Sequence, residues 1–147
     1  MRGSSFIDIA RLKGAKSLVG EFNGNPGRFD SCLKGMKIDS IGNNGDVSCS
    51  LEVSDAFKNG YGTLHGGAIA SIVDVVGTLS ILSVDNTKPG VSVDINVSYV
   101  GAAKADSKVL IEGQLIKLGR RLAYTQVSLK DEKGQMIAIG RHTKFVG

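Results

Sequence analysis

The chain has 147 residues, 41% hydrophobic and 22% charged, with only 2 prolines, which suits one compact domain with its own core and leaves little room for a second. Collagen-like, coiled-coil and wholly disordered chains are excluded by that composition. Its 18 Lys and Arg against 14 Asp and Glu give a net charge of +4, which permits an anionic ligand but does not demand nucleic acid, and 5% aromatic residues offer few platforms for stacking bases.

Glycine, at 20 residues, stands well above the roughly 7% of average usage and points to tight turns and β-structure. Cys32 and Cys49 cannot build a disulfide framework, and no Cys/His spacing matches a zinc site. An intracellular, reducing compartment is therefore expected, either the cytosol or an organelle matrix such as that of a mitochondrion or peroxisome. The segment after Met1 to Ser4 contains Asp8 and no apolar h-region, so it does not read as a secretory signal.

Residues 1–35 read as an N-terminal extension. Short apolar groups there, Phe6/Ile7/Ile9 and Leu18/Val19, are compatible with one short amphipathic helix followed by loop. The domain proper is expected over residues 36–147. Met36 to Ile41 and Asp46 to Val53 are apolar-rich runs joined by Gly42-Asn43-Asn44-Gly45, residue types that tolerate positive φ, and they read as a hairpin. A polar, Gly-rich loop from Ser54 to Leu64 leads into a long apolar stretch from His65 to Val84. There Ile69, Ile72, Val73, Val76, Leu79 and Ile81 recur at near-helical spacing, which predicts a buried helix apolar on almost every face. Asp74 interrupts the stretch and no basic cluster flanks it, so a membrane span is not expected.

After Lys88-Pro89-Gly90, the run V-S-V-D-I-N-V-S-Y from Val91 to Tyr99 alternates strictly and predicts a strand, with Ser92, Asp94, Asn96 and Ser98 on its polar face. Strands over Lys108 to Leu118, Leu122 to Leu129 and Met136 to Val146 follow, divided by Gly119-Arg120-Arg121 and Asp131 to Gly134. Three consecutive hairpins would make an antiparallel sheet. A strand pair, one helix and four strands exclude a doubly wound parallel fold. The class is α+β, with an antiparallel sheet curling around one long central helix.

Chemistry concentrates where the helix begins. The free N–H groups after Asn59-Gly60-Tyr61-Gly62-Thr63-Leu64-His65-Gly66-Gly67 carry the positive end of the helix dipole, so the segment is either a tight turn with a histidine beneath it or an oxyanion site. Asp74 is the one charged residue between His65 and Val84. A buried carboxylate costs several kcal/mol unless partnered, so it caps a loop N–H or has a chemical task. Eight residues separate Gly66 from Asp74, about 12 Å along one helix. Both cannot touch one reacting carbon, but two antiparallel copies about a two-fold axis would bring Gly66 of one beside Asp74 of the other. No Gly-x-Ser-x-Gly elbow is present, which disfavours a serine nucleophile.

Asn59 to Gly67, Asp74, Pro89-Gly90-Val91-Ser92-Val93-Asp94 and Gly140-Arg141-His142-Thr143-Lys144 together resemble the hotdog-fold acyl-CoA thioesterases, in particular the small thioesterase-superfamily type of the phenylacetate-pathway and mitochondria-associated enzymes. The resemblance spans roughly Met36 to Gly147. It implies a five- or six-stranded sheet around one helix, a dimer with a continuous sheet, and usually a tetramer of two such dimers. It also implies that Gly66 polarises the thioester carbonyl and that Asp74 of the partner acts as general base or nucleophile. Asn59 would position the reacting group, Ser92 would orient water, and His65 would lie near the thioester.

For coenzyme A the resemblance points to Tyr99, Val100, Gly101, Ala102, Ala103 and Lys104, and to Lys117, Leu118, Gly119, Arg120, Arg121 and Leu122. The basic residues among them would neutralise phosphates. Phe145 stands where relatives carry a polar residue. Coenzyme A belongs to the substrate, and no metal or separate cofactor is expected. The alternative is a hotdog protein that binds acyl-CoA without hydrolysing it, in which a carboxylate beside the carbonyl site would have no use.

Overall fold

A computed structural model describes Gly27 and residues 29–147. The short helix expected in the N-terminal extension lies outside the described residues. A 3-10 turn, Phe29–Leu33, precedes β1 (Lys37–Ile41) and β2 (Val47–Glu52). These two strands form the expected hairpin, with Ile41 opposite Val47. The turn between them depends on Gly45, whose φ of +97° is left-handed and where a Cβ would collide with Leu115. Packing reaches back across the expected domain boundary, since Leu33 is fully buried in the core.

The central helix, α1, runs over Gly66–Val84. Its start is fixed by His65, which lies in extended backbone and accepts the Gly67 N–H on its ring, a task more often given to Ser, Asp or Asn. Its C-terminal turn closes with the Asp85 N–H on the Ile81 carbonyl, and Pro89 follows. Ile72, Val73, Val76 and Leu79 are fully buried, each contributing about 1.5–3 kcal/mol of apolar burial. By length and hydropathy α1 could cross a membrane, yet two thirds of it is packed inside the chain; it is the core helix of this fold.

Four more strands, β3 (Val91–Tyr99), β4 (Lys108–Leu118), β5 (Leu122–Asp131) and β6 (Met136–Phe145), complete one six-stranded sheet. All pairings are antiparallel, in the order β1-β2-β4-β5-β6-β3. The last four strands are therefore not one continuous meander. β4, β5 and β6 follow as hairpins, whereas β3 pairs with β6 and forms an edge of the sheet. The sheet closes tightly on α1: at Gly140 a Cβ would lie 2.6 Å from Val73 Cγ2, so only glycine lets the helix settle at that depth.

β3 departs from expectation in two ways. Its alternation predicts one buried face, but Val91 is 70% and Val93 60% exposed, because a single chain supplies no neighbour on its outer edge. In addition, Ser92 pairs with Lys144 and Asp94 with Thr143, leaving Val93 as the extra residue of a bulge. Lys144 and His142 point toward the helix, so Ser92 turns inward while Asp94 faces out. The predicted polar face of Ser92, Asp94, Asn96 and Ser98 is thus broken at its first member.

Candidate active site

The loop before α1 is organised by Asn59. Its side-chain oxygen accepts the N–H groups of Tyr61 (2.9 Å) and Thr63 (3.1 Å), and its amide donates to Thr63 Oγ1 (3.0 Å). Backbone bonds from Leu64 to the Ala103 carbonyl and from His65 to the Phe57 carbonyl then seat the loop on the body. His65 Nδ1 accepts the Gly67 N–H at 2.8 Å. Among the described residues the Gly66 N–H has no partner, so it stands free at the positive end of the helix, where a carbonyl oxygen developing charge would be held. Tyr99 donates its hydroxyl to the Gly66 carbonyl at 3.1 Å.

Asp74 lies two turns further along α1. Burial was expected of it, but its side chain is 47% exposed. Small residues, Gly67, Ala70 and Ser71, occupy the same stripe of the helix, and the sheet does not cover that stripe in one chain. The carboxylate opens on a cavity of about 190 Å³ bounded by Asp30, Thr78, Pro89, Gly90 and Lys144. The His142 ring lies beside it, with Nε2 3.7 Å from Oδ1.

His142 is fully buried, and the same Nε2 lies 2.8 Å from Ser92 Oγ. Burial pushes the imidazole below its usual range, with the Asp74 charge acting in the opposite direction. The direction of the Nε2–Ser92 hydrogen bond follows the tautomer of the ring, and Nδ1 is without a hydrogen-bond partner among the described residues. Lys144, also buried, donates to Thr78 Oγ1 at 2.7 Å; burial lowers its ammonium from the usual lysine range, against the pull of Asp74.

His142 and Lys144 were given no role from sequence, although their signal is present in β6. Ala138, Gly140, His142 and Lys144 share the inward phase of the strand, and polar residues on a phase that must be buried are unusual enough to mark a site.

The structure gathers these residues into two groups. Asn59, His65, Gly66 and Tyr99 sit where α1 begins, while Asp74, Ser92, His142 and Lys144 sit further along it. The coenzyme A segments divide the same way. Residues 99–104 leave β3 at the Gly66 end, where Ala103 is buried and engages through its backbone. Lys117 to Leu122 form the β4–β5 turn at the other end of the sheet, where Leu122 and Val91 both pair with Phe145. Lys104, Lys117, Arg120 and Arg121 are all exposed. Eight steps of β3 separate the two ends, about 27 Å.

The thioesterase superfamily model matches residues 61–138. Human acyl-coenzyme A thioesterase 13 is 41% identical over 104 residues, 70% of this chain and 74% of its own. The crystal structure of zebrafish thioesterase superfamily member 2 has a TM-score of 0.84 at 40% identity, covering 90% of this chain and 95% of that one. A hypothetical thioesterase from Streptococcus pneumoniae, solved with coenzyme A, has a TM-score of 0.74 at 25% identity, covering 80% and 89%. With its helix wrapped by six antiparallel strands, the chain belongs to the thioesterase superfamily and is a hotdog-fold thioesterase.

Proposed function

We propose that this protein hydrolyses acyl-CoA to a free carboxylic acid and coenzyme A, in a site shared by two copies of the chain. The observation that carries this reading is the division of the polar residues into two incomplete groups, one at the start of α1 and one around Asp74, beside a β3 edge with no neighbour. Two copies paired antiparallel through β3 continue the sheet and set the first group of one copy against the second group of the other. Further pairing of such dimers gives a tetramer. The names of the human relative and of the streptococcal structure with its coenzyme A support the substrate class.

In this mechanism the thioester oxygen accepts the Gly66 N–H and gains the helix dipole as charge develops on it. Asp74 of the other copy takes a proton from a water that Ser92, held by His142, orients; the water oxygen adds to the carbonyl carbon, the C–S bond breaks, and the departing thiolate receives the proton from Asp74. In the nucleophilic variant the Asp74 carboxylate adds instead, the thiolate leaves to give an acyl anhydride, and water then hydrolyses the anhydride to release the acid. Asn59 acts as a positioning residue, since its side chain is spent on the loop that aims Gly66. Residues 99–104 of one copy and Lys117, Arg120 and Arg121 of the other converge on the nucleotide. Only water is consumed, so no cofactor enters the reaction.

Thiol release from a panel of acyl-CoA thioesters tests the activity, and binding without release would favour the non-catalytic alternative. The shared site is tested by co-refolding Asp74→Ala with Asn59→Ala chains. Each heterodimer then holds one doubly defective site and one intact site, and a statistical mixture should recover about a quarter of wild-type activity. A mixture shown by mass to contain heterodimers, yet no more active than its parents, would place both residues in one chain's site.

A further inference from the structure

Lys144 is a buried ion to which the proposed mechanism gives no task. It is 6% exposed, and taking an ammonium out of water costs several kcal/mol unless its neighbours offset the loss. Nζ donates to Thr78 Oγ1 at 2.7 Å, and that hydroxyl donates in turn to the Asp74 carbonyl at 2.9 Å. The ammonium is thereby tied, through a side chain that is itself buried, to the turn of α1 that bears Asp74. An ammonium carries three donors. The other two have no partner among the described residues, and Lys144 is a wall of the cavity of about 190 Å³ on which Asp74 opens.

The charges around that cavity come from four elements. Asp74 lies on α1 and Asp30 on the Phe29–Leu33 turn, both as walls, and the charge of Asp94 on β3 reaches His142. His142, on β6, is held below its usual range by burial and is neutral at pH 7. Among the described walls Lys144 is the one cation. Burial lowers its own pKa, while the charges of Asp74 and Asp30 act to keep it protonated. A carboxylate crowded by other carboxylates takes up a proton more readily, and a protonated Asp74 can neither accept a proton from water nor attack a carbonyl.

We infer that Lys144 is a positioning residue for hydrolysis: tied to α1 through Thr78, its ammonium supplies the fixed positive charge that keeps Asp74 in its charged, working form. The inference rests on the thioesterase reading above and adds a residue to that site. It separates two tasks within the same group, since Ser92 and His142 act on the water and Lys144 acts on the carboxylate.

The test is the pH profile of kcat for thiol release by the full chain, from whichever acyl-CoA wild type hydrolyses fastest. Wild type, Lys144→Met, Thr78→Val and Thr78→Ser are compared, with oligomer mass and circular dichroism checked at each pH. Methionine keeps an unbranched stem without the charge. Its kcat should lie about tenfold below wild type on the acidic limb and less than about threefold below on the plateau, as a limb moved up by about one pH unit requires, with KM little changed. The displacement should persist when both chains also carry His142→Gln, which removes the other group that titrates there. If Lys144→Met does not fold, Thr78→Val decides: it leaves the ammonium without its acceptor and should show the same pattern at about threefold, whereas Thr78→Ser should match wild type. A deficit equal at every pH, no deficit, a limb displacement that vanishes without His142, or a rise in KM alone would each overturn the inference while leaving the hydrolase reading intact. Absence of thiol release by wild type from every thioester would overturn both.

Discussion

The two ends of the divided site are built by different means. At the start of α1 the side-chain bonds that shape the loop are local: Asn59 holds Tyr61 and Thr63, and His65 holds Gly67, spanning two to four residues, while Tyr99 and the Leu64–Ala103 backbone bond tie the loop to the body from further away. Around Asp74 the contacts are long-range, with Ser92 reaching His142 across 50 residues and Lys144 reaching Thr78 across 66. The loop that presents Gly66 can order as soon as it closes, whereas the second group exists only when α1, β3 and β6 are packed together. In the proposed mechanism, aiming the N–H toward the carbonyl would then rest mainly on one segment, and activation of water on the whole fold.

The largest expected effect lies in the long-range group. Asp74→Ala should lower kcat by at least about two orders of magnitude, roughly 2.7 kcal/mol of barrier, with KM little changed. Asp74→Asn should do the same while keeping the shape of the side chain. A variant that kept most of its kcat would remove Asp74 from the chemistry.

The local group should respond more weakly. Asn59→Ala frees two loop N–H groups and should cost about tenfold to a hundredfold in kcat/KM through misplacement of Gly66. Asn59→Asp keeps the accepting oxygen and should recover most of that loss. Failure of the aspartate to rescue would mean that the Asn59 amide itself meets the substrate.

Replacing Lys117, Arg120 and Arg121 together by alanine should raise KM for acyl-CoA severalfold and leave a short thioester without the nucleotide unaffected. Added salt should imitate the change in the intact protein. Equal effects on both substrates would remove these residues from phosphate binding.

The smallest effect is on stability. Burial holds His142 below its ordinary value of 6.5. As pH falls through that value, the unfolded imidazole takes up a proton that the buried ring resists. The unfolded state then binds more protons, so stability is complete above about pH 6.5 and declines below it. Urea midpoints of wild type should fall more steeply in this range than those of His142→Gln, and parallel curves would assign the acid sensitivity to other groups.

Much of the architecture was legible because the signals were local and periodic. The alternation of β3, the apolar spacing of α1 and the Gly42 to Gly45 turn each mark their element within a few residues. The order of strands was not, since nothing in Val91 to Tyr99 says that β3 pairs with β6 and not with β4. The exposure of Asp74 was missed for a related reason: composition makes α1 apolar all round, but only the packed sheet shows which stripe it leaves open. The residues resembling known thioesterases brought Gly66, Asp74 and Ser92 into view, and their surroundings came from the fold. His142 and Lys144 escaped because their inward phase has meaning only once β6 is placed beneath the helix.

The bulge at Val93 makes the reading frame of β3 a functional quantity. It lets a segment that alternates strictly in sequence present Ser92 on the same inward face as Ile95 and Val97. Drawing Val93 into the ladder opposite Lys144 would turn Ser92 outward, away from His142, without altering any chemical group named in the mechanism. Deleting Val93 would instead close the bulge with Ser92 still opposite Lys144, so a deletion there, like a point substitution, should leave the contact in place. What this position contributes is a step that the ladder skips.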